Sequence, residues 1–214
     1  MTRANHDSDA ICALSPGALS ILDVAERLFA EKGFDAVSIN DIAQQADVSK
    51  ANIFHHFKSK EGLYLAALKS ACEHAARALD DVEQSLSSDS PQAQLQAFFT
   101  QHLQELLASP RSTRLIQREL LESGSERGRR LAEEVFSENF SRLVELVRTG
   151  QVQGQFRQEF DAALVAFLLI GTSVFFTQTS AVLQHLPGAE FAKFPDDYGS
   201  AVFQLLSHGF QNTT

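Results

Sequence analysis

The chain has 214 residues, 44% of them hydrophobic and 21% charged, enough for one large domain or a small one joined to a medium one. Eighteen Lys and Arg against 27 Asp and Glu leave a formal net charge of -9, which excludes a protein that coats nucleic acid through bulk positive charge. Two cysteines, Cys12 and Cys72, imply no disulfide framework and fit a reducing cytoplasm.

The opening MTRANHDSDA lacks a charged-then-apolar leader pattern, and residues 1–14 are expected to form a disordered tail. Helical signals follow throughout, with few alternating β-branched runs and no Asn-Gly or Asp-Gly hairpin turn. Ser15-Pro16 opens a first helix, Ile21, Leu22, Ala25, Leu28 and Phe29 keep helical spacing, and Gly33 suits its left-handed stop. "SIND" (38–41) is a capping box that starts a short second helix, and Ser49 caps a third in which Ile53 and Phe57 point inward. Further helices are expected over about 60–86, 90–108, 110–122, from 128 to Gly150, over 159–184 and over 196–210, with loops at 122–128, 150–156 and 185–195. The run at 162–171 is the most apolar and is expected to be too short to cross a membrane. The fold class is therefore all-α with about nine helices. A three-helix helix-turn-helix head over 15–60 precedes a larger helical domain over 61–214.

Residues 48–60 hold three lysines and two adjacent histidines with no carboxylate, a basic island in an acidic chain. If the third helix enters a DNA major groove, Ser49 is its cap and Ile53 its anchor, while Lys50, Ala51, Asn52 and Phe54 face the bases. Lys donates to guanine, Asn pairs with adenine, and Ala or Phe touches a thymine methyl. His55, His56, Lys58 and Lys60 suit phosphates, Lys60 beside the open amides of the next helix. A solvated helix end is the plainer reading of the island alone.

The stretch "ILDVAERLFAEKGFDAVSINDIAQQADVSKANIFHHFKSKEGLYLAAL" (21–68) resembles the DNA-binding head of the TetR family of bacterial transcriptional regulators. "FAEKGF", "IAQQADVS" and "IFHHFKSKEGL" stand in the family's order and spacing, and "GQVQGQF" before "FDAALVAFLLIG" looks like its entry into the penultimate helix. Three positions depart: Asp47 stands where the family usually has Gly, Phe54 where it usually has Tyr, and Ser38 where it often has Thr. Asp tolerates a left-handed turn, Phe54 gives up a hydroxyl contact, and Ser38 can still cap and reach a phosphate.

The resemblance implies a homodimer through the last two helices that binds a palindromic double-stranded DNA operator, most often as a repressor, and is released by a small-molecule effector. "ALVAFLLIGTSVFFTQTSAVL" is apolar around most of its circumference, and Phe203, Leu205, Leu206 and Phe210 offer a matching face. One head offers about three cationic contacts, and a dimer doubles them over centres about 34–36 Å apart. An effector pocket lined by Phe98, Phe99, His102, Leu106, Phe136, Phe140, Leu143, Phe175, Phe176 and Gln178 would favour an apolar or aromatic ligand; plain core is the competing reading. Arg111, Arg114 and Arg118 form a stripe that is either an anion site or a solvated face with an Arg118–Glu122 pair.

Cys72, Glu73 and His74 do not share a helix face, so no metal is expected, and no cofactor. Without a Gly-rich phosphate loop or serine elbow, an enzyme has no catalytic constellation to stand on. The competing reading, motivated by Asp47 and Phe54, is a helical small-molecule-binding protein whose head no longer reads DNA. A third is an architectural DNA-binding protein with no effector pocket.

Overall fold

A computed structural model of the chain describes residues 14–85, 90–122 and 124–211. The expected N-terminal tail falls almost wholly outside them, as does Cys12. Among the described residues the chain is all-α: α1 (Pro16–Lys32), α2 (Ile39–Gln45), α3 (Lys50–Phe57), α4 (Lys60–Ser85), α5 (Pro91–Ala108), α6 (Pro110–Glu122), α7 (Ser125–Leu131), α8 (Ser137–Val152), α9 (Ala162–Leu183) and α10 (Pro195–Phe210). A π-helical turn, Ala132–Phe136, joins α7 to α8, and a 3-10 turn, Glu190–Lys193, precedes α10.

The chain divides into two compact units, and neither ends at residue 60. The first holds residues 1–74 with Ser109–Val135, the second Ala75–Ala108 with Phe136–Thr214. Helix α4 runs through both, and the head is larger than the 15–60 segment because α6 and α7 belong to it.

In the first unit, Ser15 caps α1 by accepting from the Ala18 amide at 3.3 Å. Gly33 ends the helix at φ 83° with its N–H on the Phe29 carbonyl, a backbone that a side chain would strain. The stripe Ile21, Leu22, Ala25, Leu28 and Phe29 is buried, and α1 packs against α6, where Leu115 and Ile116 are buried too. The seam is reinforced by polar contacts: Arg111 to Asp23 at 2.8 Å, the Ser112 hydroxyl donating to Glu26 at 2.6 Å, and Arg118 to the Glu31 carbonyl at 3.4 Å. The arginine stripe is thus mostly occupied at home, with Arg118 also pairing to Glu122 at 2.9 Å, the i,i+4 contact its spacing predicts.

Residues 122–128 do not form the expected loop. The break narrows to the neighbourhood of Gly124, and α7 starts at once. The serines and glycines there read as breakers, but Arg127 reaches back to the buried Glu119 carboxylate and fixes the new helix. The expected helix from 128 to 150 is helical throughout, but five of its residues, Ala132–Phe136, take π-helical geometry.

The second unit packs α5, α8, α9, α10 and the end of α4 around Leu95, Phe98, Phe99, Leu143, Val147, Phe156, Leu169 and Phe203. Phe99 and Phe156 are fully buried, each stabilising by about 1.5–3 kcal/mol. Gly150 permits the fit of Phe156, since a Cβ there would lie 2.2 Å from its ring. Asp161 caps α9 by accepting from the Ala163 and Leu164 amides at 2.7 and 3.1 Å. Arg142 bridges α8 to Asp80 and Glu83 of α4, each at 2.7 Å, and the paired carboxylates hold its guanidinium above its ordinary range.

The expectation that the apolar run is too short for a bilayer needs correcting. Helix α9 continues to Leu183, and by length and composition alone it could cross one. Its hydroxyls do not interrupt the run, because Thr172, Ser173, Thr177 and Thr179 donate to carbonyls within the helix. It has two apolar faces. Val165, Ala166, Leu169 and Phe176 are buried in the unit, while Leu164, Phe167, Phe175 and Val182 are exposed.

Candidate nucleic-acid interface

The interface starts from two short helices and the turn between them. Ser38 caps α2 by accepting from the Asp41 amide at 3.1 Å, while Asp41 accepts from the Ser38 amide at 2.9 Å. The Ser38 hydroxyl also donates to Asp41 at 2.6 Å, and these bonds hold the Asp41 carboxyl below its ordinary range. That hydroxyl proton is therefore engaged within the capping box. Arg27 of α1 ties the end of α2 through Gln45 at 2.9 Å.

Asp47 carries the turn at φ 54°, the left-handed backbone expected where glycine would be easiest. Ser49 then caps α3 by accepting from the Asn52 amide at 3.2 Å. Ile53 and Phe57, one helical turn apart, are buried, which fixes the rotation of α3. Lys50, Ala51, Asn52 and His55 are consequently exposed, and Phe54 is 44% exposed. The fold thus leaves an apolar ring on the outer side of α3, among polar neighbours.

The remaining candidates are partly engaged. Lys58 takes φ 67° as the cap of α3, and its ammonium donates to the His55 carbonyl at 2.9 Å. The His55 and His56 rings meet edge to face at 5.1 Å, with His56 half-buried. The first turn of α4 is less open than expected, because Ser59 accepts from the Gly62 amide at 3.0 Å. The Lys60 ammonium rests 4.2 Å from the centre of the Phe34 ring. All ten DNA-contact candidates belong to the first unit, and five of them (Lys50, Ala51, Asn52, Phe54 and His55) are exposed on α3.

The effector candidates divide. Phe98, Phe99 and Leu143 belong to one buried core, with Phe140 packed against it. His102 is buried with its ring stacked 5.3 Å from Phe98, and Leu106 is buried on the same helix. Phe176 sits in a separate cluster with Leu103 and Ala192, its ring stacked 4.0 Å from Tyr198. Phe136 is half-buried in the π turn. Phe175, 63% exposed, and Gln178 face out of the unit. Residues of α9 turn by about 100° each, so Phe175 and Phe176 cannot both line one wall. The two hollows described in the protein use none of these residues. One, of about 80 Å³, lies between Phe34, Tyr64, Leu68, Arg127 and Leu131. The other, of about 240 Å³, is a groove between α9 and α10 along Leu164, Leu168, Leu205 and Leu206. Of the four α10 residues expected to share a face, Phe203 and Phe210 are buried, whereas Leu205 is 75% exposed. Among the described residues, no group of three or more His, Cys, Asp or Glu is placed to hold a metal ion.

One cluster escaped the sequence reading. Glu119 is buried, receives the Tyr64 hydroxyl at 2.6 Å, and is gripped by two nitrogens of Arg127. Burial, followed by the bond to Glu119, pushes the Tyr64 phenol well above its ordinary range. A signal existed: Glu119 falls in register with Ser112, Leu115 and Ile116 on the inward face of α6, an odd place for an acid.

Comparisons with known proteins place both ends of the chain in a family. Residues 21–67 match the profile of bacterial regulatory proteins of the tetR family, and residues 91–195 match the C-terminal domain described as tetracyclin repressor-like. The HTH-type transcriptional regulator YvkB of Bacillus subtilis is 37% identical over 76 residues, 36% of this chain and 40% of that protein. The biofilm operon negative regulator IcaR of Staphylococcus aureus is 41% identical over 49 residues, 23% of this chain and 26% of that protein. The chain thus aligns with well under half the length of these curated relatives. A tetR family regulator from Shewanella sp. PV-4 superposes with a TM-score of 0.73 at 22% identity, covering 93% of this chain and all of that one. FadR from Bacillus subtilis, in complex with stearoyl-CoA, gives 0.72 at 21% identity over 89% of this chain and 98% of that one. At such identities these two speak for the fold.

Proposed function

Because this chain belongs to the TetR family of bacterial transcriptional regulators, we infer that it is a cytoplasmic, dimeric repressor that binds a palindromic operator and leaves it when a small apolar effector binds. Family members act as DNA-binding regulators rather than as enzymes. The observation that carries the DNA reading is α3 itself: a serine-capped helix, locked by Ile53 and Phe57, that turns Lys50, Ala51, Asn52 and Phe54 to solvent. Lys50 and Asn52 read base edges, Ala51 and Phe54 meet thymine methyls, and Ser38, Ser49, His55, His56, Lys58 and Lys60 serve the phosphates.

Two copies pair through the exposed faces of α9 and α10, where Phe167, Phe175, Val182 and Leu205 would otherwise stay in water. This assigns Phe175 to the pairing face rather than to the effector pocket. The effector parts the side chains around Phe98, Phe99, His102 and Phe140 and so acts on α4, which passes from that unit into the head. Linkage demands that it bind the DNA-free form more tightly. Fatty-acyl compounds belong in the first ligand panel, since the similarly folded FadR is seen with stearoyl-CoA. DNase footprinting on the region upstream of the protein's own gene tests the reading. Protection should cover two half-sites, Lys50→Ala should relax base preference, and an effector should abolish the footprint. Protection no better than on random competitor at moderate salt overturns it.

A further inference from the structure

The cluster around Glu119 links three helices to the lysine that begins α4. Its carboxylate comes from α6, the Tyr64 hydroxyl from α4 and the two Arg127 nitrogens from α7. Tyr64 lies one helical turn after Lys60, on the same side of α4. The Tyr64 ring also supports Phe34, at 4.9 Å between centres, and is itself backed by Phe29 at 4.8 Å. The Phe34 ring then carries the Lys60 ammonium at 4.2 Å and faces the Arg127 guanidinium at 5.4 Å. Arg127 finds its counter-charge in Glu119, whereas Lys60 leans on the π face. Phe34, Tyr64, Glu119 and Arg127 form a closed ring of contacts, and Lys60 joins it through the Phe34 face.

We propose that Tyr64, Glu119 and Arg127 are positioning residues for Lys60, so that the α6–α7 corner sets how well this lysine meets a DNA phosphate. A long lysine loses much rotamer freedom when it engages a phosphate. A ring that already holds its ammonium over Phe34 removes part of that loss beforehand. The ring stays in place because the Tyr64 hydroxyl donates to a buried carboxylate that Arg127 grips from the other side. A shift of α7 relative to α6 would separate Arg127 from Glu119, unpin Tyr64 and loosen the seat of Lys60. The inference rests on the reading of Lys60 as a phosphate contact.

The test is a double-mutant cycle read by fluorescence anisotropy on a labelled mixed-sequence duplex, since phosphate contacts do not depend on sequence. Lys60→Ala should weaken binding by about tenfold and lower the salt slope by about one per bound head. Against Tyr64→Phe, or against Glu119→Leu combined with Arg127→Met, the same Lys60→Ala change should cost threefold or less. The paired replacement removes both charges together, so the head keeps its packing, and Tyr64→Phe deletes a single hydroxyl. A purely structural role would weaken binding without changing the cost of Lys60→Ala. If that cost is the same in all backgrounds, the positioning role is wrong while the phosphate contact stands. If Lys60→Ala leaves affinity and slope unaltered, the contact and the positioning role fall together.

Discussion

Replacing Phe167 by alanine should break the dimer by an amount the structure allows one to calculate. The side chain is 62% exposed on α9, and no residue of its own unit covers it further. Burying a whole Phe contributes about 1.5–3 kcal/mol, so covering that exposed share contributes about 1–2 kcal/mol per protomer. A two-fold interface contains the residue twice, and the dimer should lose about 2–4 kcal/mol. The dimer dissociation constant then rises roughly 30- to 1,000-fold. Sedimentation velocity over a concentration series reads this directly. Leu121→Ala is the control, because Leu121 is 72% exposed but lies on α6 in the other unit. A Phe167→Ala constant within threefold of wild type, or a wild type that stays monomeric throughout, refutes the pairing through α9.

The turn at Asp47 should discriminate between small residues: Asp47→Ala should lose about 1 kcal/mol in urea unfolding and Asp47→Gly essentially none, since φ is 54°. Gly150→Ala should destabilise by about 1–3 kcal/mol despite its better helix propensity, because the new methyl lies 2.2 Å from the Phe156 ring; a rise in melting temperature would count against that packing. Arg127→Ala should cost about 2–3 kcal/mol, less than a fully buried pair because Arg127 is 39% exposed, and most of it should return in Glu119→Leu with Arg127→Met. The capping box of α2 should weaken in acid. The Asp41 carboxyl is held below its ordinary 3.8, so its contribution is complete above that value and fades as the pH falls below it. Wild type should lose more stability between pH 7 and pH 3 than Asp41→Asn does, measured by denaturant midpoints.

The helices of the head were legible because their signals are local. Ser15, Ser38 and Ser49 each sit at a helix start with the expected amide in reach, and Ile53 with Phe57 fixes which side of α3 faces outward. What local patterns miss is partnership across the chain. Helical spacing identifies Phe98, Phe99 and Leu143 as inward-facing, but it does not distinguish a filled core from a wall that opens for a ligand. The same spacing says nothing of Phe175, whose side of α9 depends on which neighbours pack there. Residues 122–128 look like a loop to any rule based on Ser and Gly, and only Glu119, eight residues before Arg127, explains the helix that forms. Lys58 and Lys60 read as available charges, yet each ammonium already has a resting place within the head.

The docking of α6 against α1 bears on how such regulators can be recombined. Helix α1, with its buried Ile21, Leu28 and Phe29, packs against a helix encoded some ninety codons later, where Leu115 and Ile116 are buried. Transplanting residues 15–68 onto a foreign scaffold would strip that packing and strand Glu26 without the Ser112 hydroxyl. A chimera that swaps operator preference therefore needs two grafts, the N-terminal segment and its matching α6, exchanged as one piece of surface.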